Sequence, residues 1–200
     1  MFRQRLLFLF VFLLLGFQVS YGDMEFWSVD TFQFPVKEGL VFNVIPELRY
    51  RNNPSELYYL QIYLGPSFAP AKNFTMNIYY SPKFVKSSGN WSSANALYFD
   101  AVSAWRLFSD RSRFEYDPGS ATLKYRNNLQ LKTSGWSLGD EIFYNFKKAD
   151  FDENRWSVAY SFKMTANFTV ALGGMLRSQK ALGGDWSNTN VLTFNTTLMI

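Results

Sequence analysis

Residues 40–51 read LVFNVIPELRYR. One set of alternate positions is Leu40, Phe42, Val44, Pro46, Leu48 and Tyr50. The other set is Val41, Asn43, Ile45, Glu47, Arg49 and Arg51. Successive side chains of a strand point to opposite faces, so this segment forms a strand with one apolar face and one face carrying charge. A helix would scatter the same residues around its axis.

The alternation recurs along the chain. In Phe74 to Val85, Phe74, Met76, Ile78, Tyr80 and Phe84 oppose Thr75, Asn77, Ser81 and Lys83 on a largely polar face. In Thr122 to Lys132, Leu123, Tyr125, Leu129 and Leu131 oppose Lys124, Arg126, Asn128, Gln130 and Lys132. Trp156 to Lys163 and Leu192 to Ile200 repeat it. Between these runs lie turn signals such as Asn52-Asn53-Pro54-Ser55, Asp117-Pro118-Gly119 and Thr133-Ser134-Gly135. This gives about eleven segments of roughly 6–14 residues, the repeat of a membrane barrel. The expected fold is all-β, an antiparallel up-and-down transmembrane β-barrel of about 10–12 strands. Bacterial barrels are normally even-stranded, so the reading favours ten or twelve. Ten would follow if Trp27–Phe34 lay outside the barrel, and twelve if Trp91–Phe108 were two strands.

Loop lengths suggest an orientation. Long polar stretches at Lys86–Ser93, Lys147–Asn154 and Ser178–Asn188 contrast with short ones at Thr133–Trp136 and Met164–Asn167. Long loops are external in outer-membrane barrels, which would put the C-terminus in the periplasm. Aromatic residues, 20% of the chain, cluster near segment ends. Trp27, Trp91, Trp105, Trp136, Trp156 and Trp186 are the expected membrane-interface girdle, because amphipathic rings prefer the headgroup level.

Residues 1–22 carry an export signal by composition. Arg3 and Arg5 precede an uninterrupted apolar run from Leu6 to Leu15, and Ser20 and Gly22 are small residues at cleavage-reading positions. The barrel domain then covers residues 23–200, located in a bacterial outer membrane after export through the periplasm. N-terminal sequencing of membrane-purified protein should begin within a few residues of Asp23; a start at Met1 would refute cleavage. Losing Arg3 and Arg5 leaves 18 lysines and arginines against 16 aspartates and glutamates, too even a balance for a nucleic-acid partner. The expected partners are outer-membrane lipid and, during insertion, the barrel-assembly machinery. There is no cysteine and no histidine. Disulfides are therefore impossible, and metal sites and nucleophile–base catalysis lose their commonest ligand and base. No cofactor, no metal and no enzymatic activity are expected.

Several stretches carry a family resemblance: EYDPGSATLKYRNNLQLK (115–132), GDEIFYNF (139–146), FDENRWSVAYSFKMTANFTVALGGMLR (151–177) and NVLTFNTTL (190–198). They resemble the bacterial outer-membrane family called domain of unknown function 2490. Asn154-Arg155 ahead of two alternating strands and the Gly173-Gly174 pair is its most specific piece. Ile200 departs from the usual terminal aromatic residue. The resemblance implies an outer-membrane barrel and supplies no catalytic residues.

The polar faces define the candidate site. Glu47, Arg49, Arg51, Lys83, Arg113, Glu115, Lys124, Arg126 and Glu141 should line the lumen as a charged network of both signs. Charges removed from water must pair or be hydrated. With ten to twelve strands the interior lies between side-chain-filled and openly aqueous. Such a barrel is structural, or a narrow channel for ions or solutes with a partly plugged lumen. A soluble periplasmic lipocalin-like barrel, with apolar residues turned inward around an apolar ligand, is the alternative. Glu115 and Glu141 are a candidate acid–base pair, but charged lumen residues are commonplace in barrels.

Overall fold

The computed structural model describes residues 24–52, 55–180 and 184–200, so the export segment at 1–22 lies outside the described residues. Among the described residues eleven strands follow one another: β1 (Met24–Lys37), β2 (Leu40–Arg51), β3 (Glu56–Ala71), β4 (Phe74–Ser87), β5 (Asn90–Ala104), β6 (Phe108–Asp117), β7 (Thr122–Thr133), β8 (Trp136–Asn145), β9 (Asp150–Lys163), β10 (Phe168–Lys180) and β11 (Trp186–Met199). Each pairs with its sequence neighbour in antiparallel register, and β1 pairs with β11 to close a barrel. The shortest strands have 10 residues, enough to cross a hydrocarbon core when tilted.

The count corrects the expectation of an even number. Trp27–Phe34 lies within β1, and Trp91–Phe108 does not divide into two strands: β5 runs unbroken to Ala104, and β6 starts at Phe108. Up-and-down order with an odd count forces the first and last strands to run the same way. The seam is accordingly parallel, in register from Met24↔Asn190 to Gln33↔Met199. Met24 and Ile200 therefore sit at opposite rims.

The contrast in loop length is smaller than expected. The polar stretches 86–93, 147–154 and 178–188 extend into paired strands: β4 reaches Ser87, β9 begins at Asp150, and β10 reaches Lys180. Polar side chains had made strand ends look like loops. The Ser88-Gly89 and Ser134-Gly135 connections both have positive φ at both residues. That is the two-residue hairpin geometry whose twist matches flanking strands.

Facing follows the alternation. Ile78, Tyr80, Leu97, Phe99, Phe114, Leu129, Leu138, Trp156 and Leu172 are all exposed on the outer face. The residues between them turn inward, and the largest fully buried side chains are polar: Gln61, Asn43, Asp100 and Ser81. The buried apolar cluster of Tyr63, Tyr79, Ala96 and Tyr98 sits inside the barrel against β3–β5. Gly65 belongs to this packed side; a Cβ there would lie 1.9 Å from the Ile78 carbonyl oxygen.

The outer face has polar interruptions. Asp110 accepts a hydrogen bond from Asn127 at 2.8 Å, and Asp140 accepts one from Asn154 at 2.8 Å. Leu129 sits between these two acids, paired across β6 with Asp110 and across β8 with Asp140. At the seam, Thr196 donates to Asp30 at 2.5 Å.

Candidate functional site: a charged lumen with one open end

The inward residues of β1, β2, β3, β7, β8 and β9 meet in a stack across the lumen. The Arg49 guanidinium lies 3.7 Å from the Trp27 ring centroid and 4.1 Å from that of Tyr59. Arg155 is 4.9 Å from Trp27 on the opposite strands and 4.3 Å from Phe143. Arg126 continues the series at 4.4 Å from Phe143. Guanidinium groups over aromatic faces are attracted by the ring quadrupole, most strongly where water is excluded. The order Tyr59, Arg49, Trp27, Arg155, Phe143, Arg126 thus spans the barrel.

Ion pairs knit the stack to the wall. Glu141 (5% exposed) accepts from Arg111 at 2.6 Å, Arg126 at 3.1 Å and Arg155 at 3.3 Å. Arg155 also donates to Glu153 at 2.5 Å, and Arg177 joins Glu153 at 3.0 Å. Arg126 reaches Glu115 at 3.8 Å, and Glu115 holds Lys83. The connected set is Glu25, Arg177, Glu153, Arg155, Glu141, Arg126, Glu115 and Lys83, with Arg111 branching from Glu141. Two tight pairs stand beside it. Arg49 donates to Glu47 at 2.6 Å, and Arg113 clasps both oxygens of Asp100 at 2.5 and 2.6 Å. Bidentate clasps of this kind are among the stronger charge-assisted bonds.

All nine residues of the expected network lie on inward faces, but not in one cluster. Glu115, Lys83, Arg126 and Glu141 belong to the connected set. Arg51 pairs with Glu56 at 3.0 Å, together with Lys86, near the rim that carries Met24. Lys124 pairs with Asp152 at 3.2 Å near the same rim. Arg155, Glu153, Arg177, Arg111 and Asp100 were not anticipated. Glu153 lies in the stretch read as a loop, where a register shift beside Tyr144 turns both Asp152 and Glu153 inward. Arg155 shares the inward parity of Ser157, Ala159 and Ser161; extending that alternation by one step would have found it.

The girdle needs two corrections, at Trp27 and at Trp156. Trp27 is only 5% exposed and packs inside the lumen against Arg49 and Arg155. It sits opposite Arg49 in the β1–β2 register, so its ring caps a guanidinium instead of meeting solvent. Trp91, Trp105, Trp156 and Trp186 are exposed. Trp156 lies midway along β9, away from either rim. Trp136 packs against Tyr160 with ring centroids 5.0 Å apart, at the rim carrying Ile200.

Beyond the stack, towards the Ile200 rim, the lumen opens into a cavity of about 740 Å³. Its floor is formed by Trp27, Glu47, Glu141, Arg126 and Arg155, and its mouth by Thr133, Ser134, Gly135 and Trp136. Small residues keep the far wall clear: Ser157, Ala159, Ser161, Ala171 and Thr193 line it. Gly173 lies between Ala159 and Thr193 in the same layer, where an added Cβ would come within 2.8 Å of both.

A search of curated proteins finds no match to this sequence. A family model described as protein of unknown function (DUF2490) matches residues 24–188, which include β1 to β10 and the start of β11. With that match spanning most of the chain, the protein belongs to the DUF2490 family.

Proposed function

We propose that this protein is an integral β-barrel of a bacterial outer membrane whose lumen is plugged near one rim, serving as a structural element or a narrow conduit. The observation that carries this reading is the sidedness of the barrel. Large apolar side chains such as Ile78, Leu97, Phe99 and Leu138 face outward, while the arginine–carboxylate pairs face inward. In water such an outer face would be an aggregation liability, and in lipid it is the required solvent. A lipocalin-like carrier needs the opposite arrangement, with an apolar interior. The exposed Trp91, Trp105 and Trp186 near strand ends fit an interfacial girdle. Lipid is the main partner, with the assembly machinery acting during insertion. Glu115 and Glu141, each held by cations, favour a non-catalytic lumen.

Cell fractionation tests the location. The protein should remain with outer membranes after alkaline extraction and need detergent for purification. Recovery in osmotic-shock fluid would refute the reading. Planar-bilayer recording tests the plug. The unmodified barrel should give small, weakly selective currents. Trp27→Ala should raise them by removing the centre of the stack, whereas Arg51→Ala at the rim should not. Porin-sized currents from the unmodified protein would contradict the plug.

A further inference from the structure

The cavity below the stack carries more positive than negative charge. Among the described residues Arg111, Arg113, Arg126, Arg155 and Lys132 line it, against Glu47 and Glu141. Their pairing does not even this out. Arg113 is answered by Asp100 and Glu47 by Arg49. Glu141 is shared by Arg111, Arg126 and Arg155, and the second carboxylate that Arg126 reaches, Glu115, already holds Lys83. Arg155 turns also to Glu153, but Arg177, whose second carboxylate is Glu25 at 3.8 Å, draws on Glu153 as well. Lys132 makes no ion pair among the described residues. The buried Nε atoms of Arg111 and Arg126 find no acceptor there either.

Like charges crowded into a low-dielectric wall are tolerated when a counter-charge is supplied. Guanidinium groups present forks that match phosphate and carboxylate oxygens. The neutral, small-residue wall opposite leaves room for the body of a solute. We infer that this cavity binds a small solute carrying phosphate or carboxylate groups, its oxyanion seated over Arg111, Arg126 and Arg155, with Lys132 at the entrance. This site adds a ligand to the barrel proposed above, and its chemistry is independent of which compartment the open rim faces.

Isothermal titration of the full-length protein, in a detergent and in phosphate-free buffer, tests the site. Pyrophosphate and citrate are the two anionic probes and glucose the uncharged one. At least one anion should bind saturably near one per chain, with glucose giving no heat of binding. The tighter of the two anions identifies the headgroup chemistry. Lys132→Gln and Arg111→Gln should each weaken that anion about tenfold, the loss of one charge-assisted contact. Lys132 supports no ion pair, so its variant isolates recognition from folding. Glu141→Gln should bind the anion more tightly and gain more thermal stability from it than the unmodified protein, because the competing carboxylate is gone. Absence of saturable binding by both anions, or affinities unchanged in both Lys132→Gln and Arg111→Gln, overturns the inference. Should the barrel prove soluble without detergent, the same titration still decides the site separately from the membrane reading.

Discussion

Glu141→Gln should lower the unfolding free energy of the barrel by about 3–5 kcal/mol, the range for breaking a buried ion pair by removing one partner. Glu141 contacts three arginines at once, at 2.6, 3.1 and 3.3 Å. The amide preserves shape but removes the charge, so Arg111, Arg126 and Arg155 would face one another with less compensation. Glu56 gives the comparison. It also contacts two cations, Arg51 and Lys86, but at the hydrated rim. Water there can replace a lost partner, so Glu56→Gln should unfold close to the unmodified protein. Urea titration of protein folded into phospholipid bilayers, in phosphate-free buffer, measures both. A Glu141 variant as stable as the Glu56 variant would mean that the lumen is wetter than the stack implies.

Leu97→Arg should destabilise the membrane-folded barrel by about 2–4 kcal/mol, the cost of a cation on the lipid face at mid-depth. Leu97 lies at the middle of β5 and is exposed outward between Tyr80 and Tyr116. No acid stands beside it in the two flanking strands. Leu129→Arg should cost less, although Leu129 is exposed to the same degree, because Asp110 and Asp140 flank it on β6 and β8. An introduced arginine there has two carboxylates within lateral reach. The same bilayer titration separates them. Equal losses for the two variants would show that the outer acids do not shape the local field. Negligible losses for both would remove the apolar outer face from contact with lipid.

Much of this arrangement was legible in the residues, because period-two alternation fixes facing without any knowledge of partners. Leu40 to Arg51 and Thr122 to Lys132 present Arg49 and Arg126 inward as their parity required. The matched family also agrees with the resemblance carried by residues 115–132 and 151–177. What escaped was non-local. The parallel β1–β11 seam joins residues at opposite ends of the chain, and no local pattern announces it. Trp27 was misplaced because nearness to a segment end suggested an interfacial ring; its partner Arg49 is set by register across the β1–β2 hairpin. Glu153 was missed for a different reason. Polar residues near a strand end resemble a loop until their pairing with Phe143 and Gln179 is known.

Tryptophan quenching by brominated lipid tests most directly whether the barrel is apolar outside and charged inside. Two single-tryptophan proteins are needed, one keeping only Trp27 and one keeping only Trp156, with the remaining tryptophans changed to phenylalanine. Trp156 is 59% exposed on the outer face, whereas Trp27 is 5% exposed and enclosed by Arg49 and Arg155. In vesicles of brominated phosphatidylcholine, Trp156 fluorescence should be strongly quenched and Trp27 fluorescence nearly unchanged. Equal quenching of the two, or quenching of Trp27 alone, would contradict the account.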